Sequence, residues 1–167
     1  MDKGNIPICI FLDLSKAFDS LDHKILIDKL NYYGIVNNEA NIFRSYLTNR
    51  KQFVNYDGTK SDTLPISTGV PQGSILGPLR FIIYMNDISQ LSSMFKMIIY
   101  ADDTTLQSTL NSFNIDPTVN IDNNINHELS KVNEWLKANK LSLNINKSKL
   151  MLFHHVNKKK FDPPNYN

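Results

Sequence analysis

The stretch IIYADDTTL, residues 98–106, places two adjacent acids between two apolar runs. Apolar flanks of this kind predict two strands, and we expect residues 97–106 to form a hairpin with Asp102 and Asp103 at its tip. Two carboxylates so close together repel each other, and burial increases that cost. Either the pair lies in a solvated turn, which is the ordinary role of a double Asp, or a cation neutralises it.

Composition limits the class of protein before any motif is considered. The chain has 167 residues, of which 41% are hydrophobic and 20% charged. We therefore expect one folded domain with a hydrophobic core rather than a disordered chain. The net charge of +2 is too small to indicate a nucleic-acid partner by itself.

The cysteine count and the lengths of the apolar runs predict the cellular compartment of the protein. Cys9 is the only cysteine, which excludes an internal disulfide and favours a reducing compartment. No apolar run approaches the roughly 20 residues that span a bilayer, and the N-terminus lacks the layout of a signal peptide. We expect an intracellular protein, cytoplasmic or nuclear and not secreted, with no membrane partner.

The first part of the chain is predicted to contain one strand and two helices. Residues 6–13, IPICIFLD, are almost wholly apolar and predict a strand that is buried on both faces and ends at Asp13. Asp22 is suited to cap a helix that ends at Gly34. A second helix follows, and the apolar stripe expected on it consists of Ile42, Phe43, Tyr46 and Leu47.

Turn residues and periodicity predict the remaining elements. Asp57 and Gly58 are a strong turn signal between two alternating runs. The later helices are inferred from apolar residues at helical spacing. The predicted elements are a hairpin over 51–68, a loop over 67–74, a helix over 75–88 that is buried on most sides, the central hairpin, a helix over 118–139, strands over 141–145 and 150–153, and a flexible tail over 154–167.

This order of elements predicts an α+β fold. When the early helices and the first hairpin are set aside as an insertion, the order becomes βαββαβ, the pattern of ferredoxin-like sheets with helices on one face. In such a sheet the first strand and the central hairpin are neighbours. We therefore expect Asp13 to lie beside Asp102 and Asp103.

Three converging carboxylates require positive charge among them. Hard divalent cations prefer oxygen ligands, and Mg²⁺ typically takes one or two carboxylates together with substrate phosphates. Two such ions about 4 Å apart support in-line phosphoryl transfer, in which one activates the attacking oxygen and the other steadies the leaving pyrophosphate. Because successive strand residues point to opposite faces, Asp102 and Asp103 are not equivalent, and we assign Asp102 the main role.

Four motifs, in order, resemble those in the palm of a reverse transcriptase of the non-LTR (LINE-like) retrotransposon type. They are FLDLSKAFDSLDH (11–23), STGVPQGSILGPLRFIIYMNDI (67–88), YADD (100–103) and LSLNINKSKLMLF (141–153). The match covers residues 6–153, and Ala101 before the acid pair is typical of non-LTR elements. The resemblance implies a polymerase palm over residues 1–153, with residues 154–167 as a tail.

The resemblance implies a catalytic centre with two Mg²⁺ ions, for which Mn²⁺ is an alternative. Asp13 and Asp102 would bind both ions, Asp103 would assist, and the carbonyl of Leu14 would complete one metal shell. Lys147 matches the lysine of the fourth motif, a candidate acid for the departing pyrophosphate. Its local alternative is an exposed surface lysine.

The resemblance also implies nucleotide contacts and substrates. Phe18 would pack under the sugar of the incoming nucleotide and exclude a 2′-hydroxyl, although most phenylalanines are simply core residues. Gln72 and Gly73 would approach the nucleotide and template, although such residues also form plain turns. The implied partners are an RNA template, a DNA primer and deoxynucleoside triphosphates.

The implied function is RNA-directed DNA synthesis, carried by a domain fragment that is weak or inactive alone. The fingers and the thumb of the family are expected to lie outside this chain, which fits either a decayed element copy or a partial gene model. Arg80 replaces the apolar residue usual after GPL. If this position faces the core, its charge is costly unless the side chain reaches solvent.

Two other functions are consistent with parts of the sequence. A catalytically inactive remnant would at most bind nucleic acid, and its binding would be indifferent to Asp102→Ala and to chelators. A different two-metal enzyme on a similar sheet, such as a nucleotide cyclase, has no obvious use for Phe18 and Gln72. The order of the motifs also argues against a cyclase.

Overall fold

The computed structural model describes residues 5–70, 73–74, 76–111 and 121–153, and its contacts divide the chain into two units. The sheet unit comprises Met1–Ser15, Asp87–Ala138 and Ser142–Asn167. The helical unit comprises Lys16–Asn86 and Asn139–Leu141. The predicted tail, residues 154–167, lies outside the described residues.

Within the described residues the order of elements follows the prediction except at two places, a short helix over 17–20 that was not predicted and a predicted strand over 141–145 that does not form. Within the described residues the elements are β1 (Asn5–Leu12), α1 (Ala17–Ser20), α2 (His23–Tyr32), α3 (Asn37–Leu47), β2 (Lys51–Gln52), β3 (Asn55–Tyr56), β4 (Thr59–Lys60), β5 (Leu64–Pro65), α4 (Leu76–Met85), a 3₁₀ helix (Asn86–Gln90), β6 (Lys96–Tyr100), β7 (Asp103–Asn111), α5 (Ile121–Ala138) and β8 (Lys149–Leu152).

Four antiparallel strands form the sheet unit, in the order β6-β7-β1-β8. β1 pairs along its whole length with β7, from Asn5 opposite Asn111 to Leu12 opposite Thr104. Since strand side chains alternate between the two faces, every second residue of β1 points to the same side. The buried members of this series are Ile6, Ile8, Ile10 and Leu12.

The other face of the sheet is open, so the prediction that β1 is buried on both faces is wrong. Phe11 is 40% exposed, and Ile98 and Met151 on the same face are exposed as well. The reason is that α5 lies against one face only. The side chains that line a cavity between α5 and this buried face include Ile10, Leu12, Leu129, Val132, Leu136 and Leu150.

The central hairpin is confirmed, whereas the strand predicted over 141–145 is wrong. β6 and β7 pair up to Tyr100 opposite Asp103, which leaves a two-residue turn at the tip. In the segment 141–145 a single bridge joins Leu143 to Leu14. The chain turns there because the Ser148 hydroxyl and amide both donate to the Asn144 carbonyl, an interaction that competes with strand pairing.

In the helical unit, α2 begins and ends at the predicted residues. The Asp22 carboxylate accepts hydrogen bonds from the amides of Lys24 and Ile25, at 2.9 and 3.1 Å, and so caps the helix. Gly34 follows the helix with φ 85°, a left-handed conformation that favours glycine. α2 packs against both α3 and α4.

The buried face of α4 differs from the predicted one. The helix exposes Leu79 and Ile82, about half of each side chain, and buries Arg80, Phe81 and Tyr84. Burial on most sides is therefore wrong for α4. The Tyr84 hydroxyl donates to the Asn139 carbonyl at 2.7 Å, so the inward face carries polar anchors that hydrophobicity alone does not predict.

The predicted stripe on α3 is partly wrong, and the first hairpin is confirmed. Leu47 is buried, whereas Ile42 is 64% exposed.

The first hairpin consists of two short ribbons, β2 with β5 and β3 with β4, and its turn is formed by Asp57 and Gly58. Every residue from 51 to 65 is exposed, so this hairpin has no core of its own.

Candidate active site

Strand register places the three predicted acids at one edge of the sheet unit. The last printed pair of the register is Leu12 opposite Thr104, and Asp13 and Asp103 are the next residues outward along the two chain segments. Opposed residues of antiparallel strands have Cα atoms about 4.5–5.5 Å apart. Asp102 immediately precedes Asp103 in the turn. Residues separated by ninety positions in sequence are therefore neighbours in the sheet.

The turn that carries Asp102 contains a strained residue. Ala101 has φ 53°, in the left-handed region, where a non-glycine residue costs about 1–2 kcal/mol. Two-residue hairpin turns favour glycine or asparagine at such positions. Strained residues of this kind cluster at functional sites, and Ala101 lies next to the acid pair.

The carboxylates at this edge lie in a partly solvated setting. Asp13 and Asp102 are half-buried, and Asp103 is exposed. No ion pair joins any of the three to another described residue. No group of three His, Cys, Asp or Glu side chains within the described ranges is arranged to hold a metal ion. The backbone thus brings the acids together, while their carboxyl groups do not yet form a ligand set.

The loop over 142–148 fixes the backbone around Asp13. The Asp13 amide donates a hydrogen bond to the Ser148 hydroxyl at 3.2 Å. The Asn144 amide donates to the Asp13 carbonyl at 2.8 Å, and the Ser15 amide donates to the Ser142 carbonyl at 2.8 Å. These bonds hold the end of β1 in place.

Sequence reasoning did not identify Asn144 and Ser148 as anchors of this edge. The signal that was available is a polar residue pair four positions apart in a short turn, which is typical of side-chain to backbone bonding. The two backbone bonds lie on either side of Leu14 and do not involve its carbonyl. Lys147 lies in the same turn and is exposed.

The other predicted contacts belong to the helical unit. Phe18 is half-buried, with its ring centroid 4.9 Å from that of Phe81, so it packs as a core aromatic on one side. Gly73 is exposed with φ 78°, and a Cβ there would meet no atom within 4 Å. Gln72 lies outside the described residues.

Gly69 and Val70 are tightly docked within the helical unit. The Val70 amide donates to the Phe18 carbonyl at 2.9 Å, and the Gly69 amide donates to the Leu21 carbonyl at 2.7 Å. Gly69 has φ 79°, and a Cβ there would lie 2.9 Å from the Asp19 carbonyl oxygen. Only glycine fits this close approach, so the glycine has a structural reason that is independent of any ligand.

A cavity of about 630 Å³ lies at the base of the first hairpin in the helical unit. Arg50 and Lys51 line one side, and Asp19 also reaches it. The remaining lining residues are Gln52 and the stretch 65–70.

None of the described helices is long and apolar enough to cross a membrane.

Comparison with known proteins adds a family match to this geometry. Residues 2–164 match the profile of the family described as "Reverse transcriptase (RNA-dependent DNA polymerase)". The chain is 31% identical, over 119 residues, to the RNA-directed DNA polymerase from mobile element jockey of Drosophila melanogaster, covering 64% of this chain and 12% of that protein. It is 28% identical, over 173 residues, to the probable RNA-directed DNA polymerase from transposon X-element of the same organism, covering 94% of this chain and 17% of that protein.

Solved structures share the fold of this chain. A telomerase from Candida tropicalis, solved in complex with the TWJ fragment of telomeric RNA, superposes with a TM-score of 0.64 at 15% identity. The superposition covers 93% of this chain and 28% of that chain. At an identity this low the structural likeness shows the fold alone, a mixed α/β arrangement around an antiparallel sheet. The chain spans less than a fifth of the length of the curated relatives named above.

Proposed function

This chain belongs to the reverse transcriptase family and is a domain fragment similar to the RNA-directed DNA polymerases of non-LTR retrotransposons. On that premise we propose that it forms a polymerase palm, with a two-metal site carried by its sheet unit. The observation that supports the proposal best is the register that pairs Leu12 with Thr104, because Asp13 and Asp103 are the residues next to that pair and Asp102 is adjacent. The sheet order β6-β7-β1-β8 also supports it, because a βαββαβ sheet brings its first strand next to its central hairpin.

The proposed metal ligands are oxygen atoms at this edge. Reverse transcriptases generally use divalent metal ions, and the donor set here suits a hard cation such as Mg²⁺ or, alternatively, Mn²⁺. Asp13 and Asp102 would hold two ions, with Asp103 assisting and the Leu14 carbonyl as a further donor. When bound, the ions would lower the pKa of the primer 3′-hydroxyl and neutralise charge on the triphosphate.

The remaining residues would orient the reactants. In the reaction the primer 3′-hydroxyl would lose its proton to water as its oxygen bonds to the α-phosphorus of the incoming nucleotide. The bond from that phosphorus to the oxygen shared with the β-phosphate would break, which releases pyrophosphate. Lys147, exposed in the turn beside Asp13, is the proposed proton donor to that leaving group. Ser148 and Asn144 would keep Asp13 in place while the charge develops.

Selection of the nucleotide would come from residues of the helical unit. Phe18, braced on Phe81, is the proposed barrier to a 2′-hydroxyl. Gly73, which has open space where a side chain would be, would let the backbone approach the nucleotide. Gln72 is proposed as a further contact on sequence grounds.

We extend the proposal to domain limits, partners and location. Residues 1–153 would form the palm, and residues 154–167 would form a tail. An RNA template, a DNA primer and deoxynucleoside triphosphates would be the substrates, and fingers and thumb segments would complete the enzyme. The unpaired thiol of Cys9 supports an intracellular address, cytoplasmic or nuclear.

Primer extension on poly(rA)/oligo(dT) tests this function. We would compare the chain alone with a version restored with upstream and downstream segments, each with and without Asp102→Asn. Asp57→Asn is the matched control, because it removes the same charge from the tip of the other hairpin. We expect Mg²⁺-dependent extension by the restored protein, background levels with Asp102→Asn, and no change with Asp57→Asn.

The rival function is a catalytically inactive remnant, which the absence of a carboxylate cluster among the described residues favours. A direct metal-binding measurement separates the two. Titration with Mn²⁺, followed by electron paramagnetic resonance, should show binding that Asp102→Asn weakens and Asp57→Asn does not. Binding that is indifferent to Asp102→Asn, together with no extension by the restored protein, would establish the remnant.

A further inference from the structure

The last residue of the first motif, His23, contacts the beginning of the second motif within the helical unit. Its Nε2 lies 2.7 Å from the carbonyl oxygen of Gly69, a residue 46 positions further along the chain. A carbonyl oxygen can only accept a hydrogen bond, so Nε2 carries the proton and donates it. The ring is half-buried at the first turn of α2. The proposed chemistry gives this histidine no role.

The bond from His23 completes the hydrogen bonding of the Gly69 backbone. The Gly69 amide donates to the Leu21 carbonyl at 2.7 Å, and the next amide, that of Val70, donates to the Phe18 carbonyl at 2.9 Å. The Gly69 carbonyl takes its proton from His23. Since a polar backbone group without a partner is costly away from water, this side chain stabilises the docked position of Gly69.

The helix that Gly69 and Val70 contact, α1, is too short to hold itself in place. It has four residues, and the side chain of Lys16, which precedes it with φ 49°, caps none of its amides. A single helical turn is unfavourable in isolation because many dihedral angles are fixed for few hydrogen bonds. The position of α1 therefore depends on the segments that pack against it.

Two contacts from distant segments fix Phe18, which lies in α1. Its ring packs against that of Phe81, with centroids 4.9 Å apart. Its carbonyl accepts the hydrogen bond from the Val70 amide. The second contact holds only while the neighbouring Gly69 stays docked, and the Gly69 backbone approaches that of Asp19 so closely that a Cβ would lie 2.9 Å from the Asp19 carbonyl oxygen.

We propose that His23 is a positioning residue that locks Gly69 and Val70 against α1 and so fixes the backbone of Phe18. Its significance for nucleotide selection rests on the proposed function, in which Phe18 bars a 2′-hydroxyl. The restraint itself requires neither nucleotide nor metal, because it is made entirely by residues of the helical unit.

Two substitutions of similar polarity separate the donor from its reach. His23→Gln places an amide nitrogen as many bonds from Cα as Nε2 is, so it keeps a donor for the Gly69 carbonyl. His23→Asn carries the same amide group on a side chain that is one methylene shorter and falls short of that carbonyl. His127→Asn is the matched control, because His127 is exposed on α5 in the sheet unit.

Hydrogen exchange with mass spectrometry measures the restraint in the chain itself. In His23→Asn we expect exchange of peptides containing Gly69 and Val70 to rise about tenfold, because the Gly69 carbonyl loses its donor. His23→Gln and His127→Asn should leave the exchange of these peptides at the wild-type rate. Peptides of the sheet unit should exchange as in wild type in all three variants.

Three outcomes of the exchange measurement would overturn the proposal. The first is wild-type exchange at Gly69 and Val70 in His23→Asn. The second is an equal rise in His23→Asn and His23→Gln, because the donor would then be irrelevant. The third is a rise that extends through the sheet unit, because His23 would then support the whole fold rather than this contact.

Nucleotide selection by the restored protein provides a readout that a merely structural role would not move. The quantity is kcat/KM for dTTP divided by kcat/KM for UTP on poly(rA)/oligo(dT). In His23→Asn this ratio should fall about tenfold, mainly through better use of UTP, and His23→Gln should keep the wild-type ratio. A ratio unchanged in His23→Asn would refute the role in selection. No extension by the restored wild type would instead refute the proposed function, and hydrogen exchange would still decide whether His23 restrains Gly69.

Discussion

Two hairpins of this chain are each closed by a two-residue turn, and the turns differ in strain. In the first hairpin Asp57 and Gly58 have φ values of 47° and 79°, both positive as a tight hairpin turn of this kind requires. The Asp-Gly pair adopts that conformation at low cost. In the second hairpin Ala101 has φ 53° and is followed by Asp102 and Asp103.

The flanks of the two turns differ as much as the turns themselves. Residues 51–65 are exposed throughout, so the first hairpin contributes little to any core. In the second hairpin Leu106 is fully buried and Thr104 is 2% exposed. The residues at 57 and 58 suit chain reversal, whereas the turn between β6 and β7 keeps a strained alanine and two acids that form no ion pair with any described residue.

Truncation of core and surface leucines should give the largest contrast between the hairpins. Leu106→Ala leaves a cavity in the middle of the sheet and should lower the free energy of unfolding by about 2–5 kcal/mol. Leu64→Ala, at a side chain that is 62% exposed in the first hairpin, should change it by less than about 0.5 kcal/mol. Urea denaturation measures both, and equal losses would show that the first hairpin has a core after all.

Substitution of the turn residues should change the free energy of unfolding by an intermediate amount, with opposite signs in the two hairpins. Gly58→Ala places a side chain at φ 79° and should cost about 1–2 kcal/mol. Ala101→Gly removes a similar strain but adds unfolded-state entropy, so a net gain of about 0.5–1 kcal/mol is expected. Thermal unfolding of the two variants provides the test. A destabilised Ala101→Gly would mean that the Ala101 methyl group makes a contact that outweighs its strain.

Substitution of Asp22, an acid that has a structural partner in Lys140, should give the smallest change in the free energy of unfolding. Burial raises the pKa of Asp22, but the hydrogen bond from Lys140, the amides of Ile25 and Lys24, and the charge of Lys140 outweigh it, so the pKa lies below its usual value. Asp22 therefore stabilises the fold above its unfolded-state pKa. This contribution is lost as the pH falls from there through the lower folded-state value.

The measurement for Asp22 is stability as a function of pH in the acid range. Asp22→Asn retains an N-cap and removes the ion pair with Lys140, whose Nζ lies 2.6 Å from the carboxylate. Because Lys140 is largely solvated, the loss at neutral pH should be below about 1 kcal/mol. The variant should lose less stability than wild type on acidification. An unchanged acid slope would mean that other carboxylates dominate it.

Local features of this chain could be predicted from its residues because they depend on near neighbours. The cap at Asp22, the helix end at Gly34 and the turn at Asp57 and Gly58 all follow from side-chain and backbone chemistry within a few positions. The acid pair at the tip of a hairpin followed from its apolar flanks in the same way. Motif order likewise was enough to identify the family.

Prediction failed where a residue's setting depends on distant chain. The open face of β1 at Phe11 could not be inferred, because an apolar run does not say how many sides are covered. The segment 141–145 was predicted as a strand, because its apolar alternation gave no sign of the turn that follows, where Ser148 bonds to Asn144. The placement of the acid edge followed from topology, but its anchoring by Ser148 did not.

By itself the sequence determined the family, the order of most of the elements, and the acids at a strand end and a hairpin tip. The tertiary structure decided which face of each element is covered, and it alone turned Arg80 inward against Tyr46. The physical reason is that backbone and capping preferences act over a few residues. The burial of a side chain is instead set by whichever distant segment packs against it.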